Sequence, residues 1–283
     1  MTTRFSFGDN WLKFSALIDE PRIDEAVSSI QQLLNVADLR GRSFLDVGSG
    51  SGLFSLAAAQ LGAGRIRSFD YDPDSVESTK AVRDRYFPDK SDWVVERGDI
   101  LDSDYCQTLS TFDVVYAWGV LHHTGSMWKA MDNTCGLVAP EGLFYLSIYN
   151  DQGRRSDVWR SVKRRYNTLP SPLRGPFVAV AALPIAVPQF GRALLKGHLR
   201  SYVRSWARPY GRGMSRWHDL VDWVGGYPFE VAAPEEVFRF CRDRGFTLVD
   251  LRSIGGDRGC NEFVFAKDGN SNGRLEPAAS GTA

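Results

Sequence analysis

Residues 45–52 read LDVGSGSG. A short apolar strand, SFLDV (43–47), runs into three glycines at every second position. LFSLAAAQLGA (53–63) follows, apolar and rich in alanine, and reads as a buried helix ended by Gly62. Strand, glycine turn and helix in that order suggest a nucleotide-binding turn. Glycine lets backbone approach a ligand and frees N–H groups at a helix start. The dinucleotide form, G-x-G-x-x-G, needs a third glycine to pack the helix on the strand. Counted from Gly48, that position is Leu53, so the fingerprint fails by one residue. What stands there is D-x-G-x-G-x-G, from Asp46 to Gly52.

Outward from the turn, strand and helix alternate. Residues 22–35 have helical apolar spacing with Pro21 at the start. RIRSFD (65–70) is a second strand, and Asp72-Pro73 reads as an N-cap with proline in the first turn of the next helix. WVVERGD (93–99), FDVVYAW (112–118) and GLFYLSIYN (142–150) are three more strands, with a helix from about Ser126 before the last. This alternation predicts an α/β fold with a parallel sheet covered on both faces. After a break, PEEVFRFCRDRG (234–245) is a helix, and TLVDLRS (247–253) and EFVFA (262–266) form an antiparallel pair.

The 283 residues are 43% hydrophobic and 24% charged, with a formal net charge of zero. No whole-chain field points to nucleic acid. Four scattered cysteines without a CxxC pair argue against a disulfide framework or a metal site and suit a reducing compartment. The first residues lack the apolar core of a signal peptide, and no run reaches the roughly 18 apolar residues of a membrane span. The expected location is the cytoplasm.

At this point the chain resembles the class I S-adenosylmethionine-dependent methyltransferases, most closely the small-molecule enzymes of the quinone-biosynthesis type. Their first motif is an acidic residue followed by alternating glycines, here Asp46, Gly48, Gly50 and Gly52. Asp70 ends the second strand, where the family grips the ribose hydroxyls, and Tyr71 adjoins it. Gly98-Asp99-Ile100 ends the third strand, where the family holds the adenine. AWGVLHH (117–123), with Trp118, resembles the segment beneath the methionine part of the cofactor, and RGF (244–246) before the sixth strand is also similar. The resemblance covers about 40–150 and 230–267 and implies a Rossmann-like seven-stranded methyltransferase sheet, mostly parallel with one antiparallel strand. It implies S-adenosylmethionine as cofactor. A diol suits a carboxylate acceptor, and a sulfonium without phosphates needs no lysine at the turn.

Methyl transfer needs alignment and, for a hydroxyl acceptor, a base. His122 and His123 follow the fourth strand at its ligand-facing edge, and at most one is expected to face the substrate. His218 and Asp219 form a second base-and-orienter candidate, or a helix start. Tyr149 and Asn150 end the fifth strand as candidate substrate contacts. Trp11 and Phe14, with Phe5 and Phe7, form an aromatic lid or a packed helix, and Trp11 is a candidate cofactor contact.

Segment 151–216 carries fourteen Arg or Lys residues against Asp151 and Asp157, a formal +12, which leaves −12 for the rest. Basic residues recur every fourth position from Arg192 to Arg216, and 192–208 reads as one basic amphipathic helix. Before it lies PFVAVAALPIAVP (176–188), apolar and broken by Pro184. Three readings stand: a solvated basic face, a cap over an apolar or anionic acceptor, and contact with an anionic membrane surface on its inner face. Nucleic acid fits less well. The expected organisation is a helical lid (1–40), a cofactor-binding core (41–150), a basic helical cap (151–216), the rest of the core (217–267) and a disordered tail (268–283). The expected reaction moves a methyl group to a small or lipid-like acceptor, at oxygen. The alternatives are a nicotinamide-dependent oxidoreductase and a non-catalytic, membrane- or lipid-binding protein with a methyltransferase fold.

Overall fold

The computed structural model describes residues 5, 8–15, 17–207 and 216–269. Phe7 and residues 270–283, including most of the expected tail, lie outside the described residues. Seven strands form one sheet: β1 (Ser43–Val47), β2 (Arg65–Asp70), β3 (Trp93–Arg97), β4 (Phe112–Trp118), β5 (Val138–Tyr149), β6 (Phe246–Arg252) and β7 (Cys260–Lys267). Their order is β3-β2-β1-β4-β5-β7-β6. β1 to β5 pair in parallel, and β7 runs antiparallel to both β5 and β6. This is the α/β sheet the alternation predicts.

Adjacent strand residues face opposite layers, as a two-residue period requires. Phe44, Ile66 and Val114 enter one apolar core, whereas Leu45, Val47, Val115 and Ala117 enter the other. The first core is covered by α2 (Glu20–Leu34), α3 (Leu53–Gln60) and α4 (Pro73–Tyr86). The second is covered by α6 (Met127–Gly136) and α12 (Pro234–Arg242), with α5 (Ser103–Thr108) at its edge. The helix starts are cut by short acidic side chains. Asp19 accepts the N–H of Arg22, and Asp72 accepts that of Asp74. A small N-terminal helix, α1 (Gly8–Ser15), lies on α4.

The segment after β5 folds as helices α7 (Arg154–Thr168), α8 (Ser171–Ala181), α9 (Leu183–Leu195) and α10 (Leu199–Ala207). α11 (Arg216–Gly225) then returns the chain to the sheet. α7, α8 and α11 share a small core of Tyr166, Val178 and Val224, against which Phe5 and Trp223 pack.

Two expectations are corrected here. The single basic helix over 192–208 is two helices, because Gly197 takes φ +70° and turns the chain between α9 and α10. That conformation is cheap only for glycine. The break near Pro184 falls at Ala182 instead, and Pro184 sits in the first turn of α9, where a missing N–H costs nothing.

Candidate active site

The strand order reverses between β1 and β4, so the loops after these strands diverge and leave a crevice. A cavity of about 470 Å3 lies there. The glycine turn forms one wall. Gly48 and Gly52 have φ of +73° and +79°, a region costly for any side-chain-bearing residue. A Cβ on Gly48 would stand 2.5 Å from Val120, and one on Gly52 would stand 3.0 Å from the Thr79 backbone. Gly50 is where Trp11 closes in, 3.2 Å from a virtual Cβ. The turn therefore lets three other elements pack against it.

Its N–H groups are largely spent inside the protein. Gly48 and Ser49 donate to the Phe69 carbonyl at 2.8 and 3.1 Å, and Gly52 donates to Ser49 at 2.8 Å. Gly50 donates to Asp70 Oδ2 at 3.0 Å, and Leu53 to Ser51 Oγ at 3.4 Å. The expectation that the glycines free these donors is thus corrected: the turn is shaped for close approach, and these amides do not form an open anion cradle. The cavity wall agrees. Asp46, Asp70, Asp72, Asp99 and Asp222 line it, and no Lys or Arg does among the described residues. Such a wall favours a cation over a pyrophosphate.

Asp70 accepts Gly50 N–H on Oδ2 and Asp72 N–H on Oδ1, the latter at 2.9 Å. Each oxygen keeps a further acceptor position, which suits a vicinal diol. Burial pushes its carboxyl up to about 6, against the lowering by these N–H donors. Asp46 is more deeply built in. Its Oδ2 accepts Ser55 Oγ at 2.6 Å, Ser55 meets Ser68 at 2.7 Å, and Trp93 Nε1 donates to Ser68 at 2.9 Å. Burial raises Asp46 to about 7, opposed by the Ser55 hydrogen bond and helped by the charge of Asp70. Asp46 thus ties α3 to the sheet as well as lining the cavity.

The other cofactor candidates divide clearly. Trp11, Gly48, Gly50, Tyr71, Asp99, Ile100 and Trp118 line the cavity. Asp99 accepts the Leu101 N–H at 2.9 Å, and Trp118 Nε1 donates to Glu262 at 3.2 Å. Gly52 does not line it and serves the packing of α3 on α4. Residues fit for the cofactor are therefore gathered in one place: a diol acceptor, an apolar and acidic strand end, and a wall free of competing cations.

At the far end of the cavity stand His122, His123 and Tyr149. Both histidines line it. The reason is the 3-10 turn at Leu121–His123, which sets the rings 4.6 Å apart by centroid instead of splaying them. His122 is fully buried, with the Tyr149 ring 4.0 Å away by centroid and tilted by 42°. Neither of its ring nitrogens meets a partner at hydrogen-bonding geometry. Desolvation, then the charges of His123 and Lys163, hold it well below the usual histidine range, and the Ser147 backbone opposes this. His123 Nδ1 lies 2.7 Å from the Pro228 carbonyl. A carbonyl only accepts, so Nδ1 carries a hydrogen and donates it. Burial, then the Lys163 charge, lowers His123 to about 3.

Asn150 does not line the cavity. Its amide donates to the Gly255 carbonyl at 2.7 Å and accepts from Asn261 at 2.9 Å, bracing the loop between β6 and β7. His218 and Asp219 lie on α11, with side chains outside the described residues. Among the described side chains of α11, Asp222, one turn after His218, lines the cavity. Sequence reading also missed Tyr227 and Lys163. Lys163 is buried, donates to the Trp223 carbonyl and sits 5.8 Å from the Tyr149 ring centre. Burial, then the charge of Arg258, lowers it to about 7. Only a helical-spacing argument from His218 to Asp222 would have found any of these.

The comparisons with known proteins agree with this geometry. A family model described as a methyltransferase domain matches residues 19–218. The ribosomal protein L11 methyltransferase of Limosilactobacillus fermentum is 49% identical over 49 residues, 17% of this chain and 15% of that protein. The ubiquinone biosynthesis O-methyltransferase of a Methylobacterium species is 30% identical over 118 residues, 40% of this chain and 43% of that protein. The matched stretches thus span less than half the length of these relatives. Among solved structures, an O-methyltransferase family protein from Burkholderia thailandensis has a similar fold, with a TM-score of 0.53 and 14% identity, covering 93% of this chain and 58% of that one.

Proposed function

The chain belongs to the methyltransferase-domain family, and from that premise we propose that it moves a methyl group from S-adenosylmethionine to an oxygen of a small, largely apolar acceptor. When bound, this cofactor supplies a methyl group on a positively charged sulfur. Asp70 holds the ribose diol, Asp99 and Ile100 hold the adenine end, and the spent glycine turn lets the ligand lie close to the backbone. Trp11 and Trp118 flank the seat. The reading that a nicotinamide dinucleotide binds here is not favoured, because the turn offers few open N–H groups and no cation.

The observation that carries the oxygen reading is the orphaned ring of His122 in the cavity wall. A buried neutral imidazole without a partner favours a hydroxyl ligand, since an unmade buried hydrogen bond costs about 1–3 kcal/mol. His122 would accept the proton that the acceptor hydroxyl gives up, so that the imidazolium keeps one positive charge inside the cavity. Its low basicity is offset only in that moment, which fits a base that acts in the transition state rather than before it. His123, with its hydrogen fixed on Nδ1 by Pro228, positions its neighbour. Tyr149 lines the acceptor end, and Trp223 and Phe229 pack with it at centroid distances of 5.1 to 6.2 Å.

Calorimetry with S-adenosylmethionine and with NAD tests the cofactor: binding of the first alone is expected, and no binding of the first overturns the reading. Incubation with labelled methyl donor and a cell extract, followed by mass spectrometry of the labelled product, tests the acceptor atom. A methyl group on nitrogen or carbon overturns the oxygen reading and leaves the cofactor reading intact.

A further inference from the structure

α9 is strongly apolar, yet none of its residues is buried. Leu183, Val187, Phe190 and Leu194 are 52%, 60%, 44% and 57% exposed. Their spacing places them in one stripe about 60° wide at 100° per residue. Val180 on α8, Leu195 after the stripe and Val203 on α10 extend the exposed apolar surface, at 66%, 89% and 58%. Single exposed apolar residues are ordinary, but a contiguous stripe of them marks an interaction surface.

The charge beside the stripe has one sign. Between Ser171 and Ala207 stand Arg174, Arg192, Lys196, Arg200 and Arg204, and no Asp or Glu. The last four of these are exposed. Arg192 falls on the side of α9 opposite the stripe by the same periodicity. α10 keeps its place on α9 through Tyr202, whose ring lies 6.0 Å from Phe190 and whose hydroxyl donates to the Ala186 carbonyl at 3.3 Å. No single described helix is long and apolar enough to cross a membrane, and α8 with α9 is bent by 44°.

We propose that α8, α9 and α10 form a docking surface for an anionic lipid bilayer. The α9 stripe enters the acyl boundary, while Arg192, Lys196, Arg200 and Arg204 meet lipid phosphates. Charge complementarity selects this occupant. A second copy docked by the same face would bring more basic residues and no counter-charge, whereas anionic lipid supplies one. The bend and the basic residues favour a helix lying in the interface over one that spans. This surface is independent of the proposed reaction and holds for any acceptor.

The test is co-sedimentation of the full chain with vesicles of phosphatidylcholine alone and of phosphatidylcholine mixed with phosphatidylglycerol. Binding to the mixed vesicles only, weakened by salt, is expected. The triple variant Leu183→Asp, Val187→Asp and Leu194→Asp is expected to bind them at least about tenfold less at unchanged melting temperature and donor affinity. Arg192→Gln with Arg200→Gln and Arg204→Gln is a second variant, which keeps every apolar residue and is expected to lose the preference for anionic lipid. Equal binding to both vesicles, no binding to either, or variants that bind like the parent would overturn the proposal. A lipid-free dimer that the Leu183→Asp variant dissociates would overturn it too, by giving the stripe to a second copy.

Discussion

Two apolar helices of this chain meet opposite fates. α3 buries five of its eight residues, Ser55 to Ala59, between the sheet and its neighbours, whereas α9 buries none of thirteen. Composition does not separate them. Neighbours do: α3 follows a glycine turn that lets α4 come within van der Waals contact, and its Ser55 is tied to Asp46. Among the described residues, α9 leans chiefly on the short helices before and after it. The contrast teaches that apolar character decides that a helix needs a partner, while the turn before it decides whether that partner is the molecule's own core.

The contrast is open to direct attack, and the largest expected effect comes first. Ala58→Asp places an unpaired charge where no water reaches and is expected to remove the folded state, a cost above about 4 kcal/mol, read by loss of the cooperative thermal transition. His122→Ala is expected to lower kcat by about a hundredfold or more, with donor affinity and melting temperature nearly kept; equal activity would remove His122 from the chemistry. Asp70→Asn is expected to weaken S-adenosylmethionine binding by about ten- to hundredfold in calorimetry, because a charge-assisted acceptor becomes a mixed donor and acceptor.

Titration sharpens the same side of the comparison. Asp70 and Asp46 are raised from 3.8 to about 6 and about 7, so the folded chain holds their protons more tightly than the unfolded chain. Their contribution to stability is full below pH about 4 and is lost as pH rises through about 6 and then about 7. Donor binding runs the other way and strengthens as pH rises through about 6, since the diol and the cationic sulfur favour ionised Asp70. Thermal melts and calorimetry across pH 4 to 8 check both signs, and Asp70→Asn is expected to flatten its part of each curve. The smallest effect is on the other helix. Val187→Asp is expected to change the lipid-free stability by less than about 0.5 kcal/mol; a cost near that of Ala58→Asp would erase the contrast.

The legible parts of the sequence were those fixed by neighbours along the chain. D-x-G-x-G-x-G, Asp70 and Asp99 each end a strand, and a parallel sheet brings strand ends to one edge without further information. Asp72 reads as a cap because proline follows it, and it is one. Long-range facts were not legible. The consumption of Gly50 N–H by Asp70 needs the two strand ends side by side, and Lys163 acquires its surroundings only when α7 packs on α11. Asn150 looked like a ligand contact from its place at a strand end, yet it was claimed by a loop more than a hundred residues away. The basic row from Arg192 to Arg204 kept its period through Gly197, because a period of four says nothing about the φ of the residue between.

Trp11, laid against Gly50, and Trp118, at the end of β4, give the cavity two indoles among the eight of the chain. The molecule thereby carries its own optical reporter. Entry of a ligand at this seat changes the polarity and the charge beside both rings at once, so emission from Trp11→Phe and Trp118→Phe variants would separate the arrival of the ligand from the settling of the first helix over it.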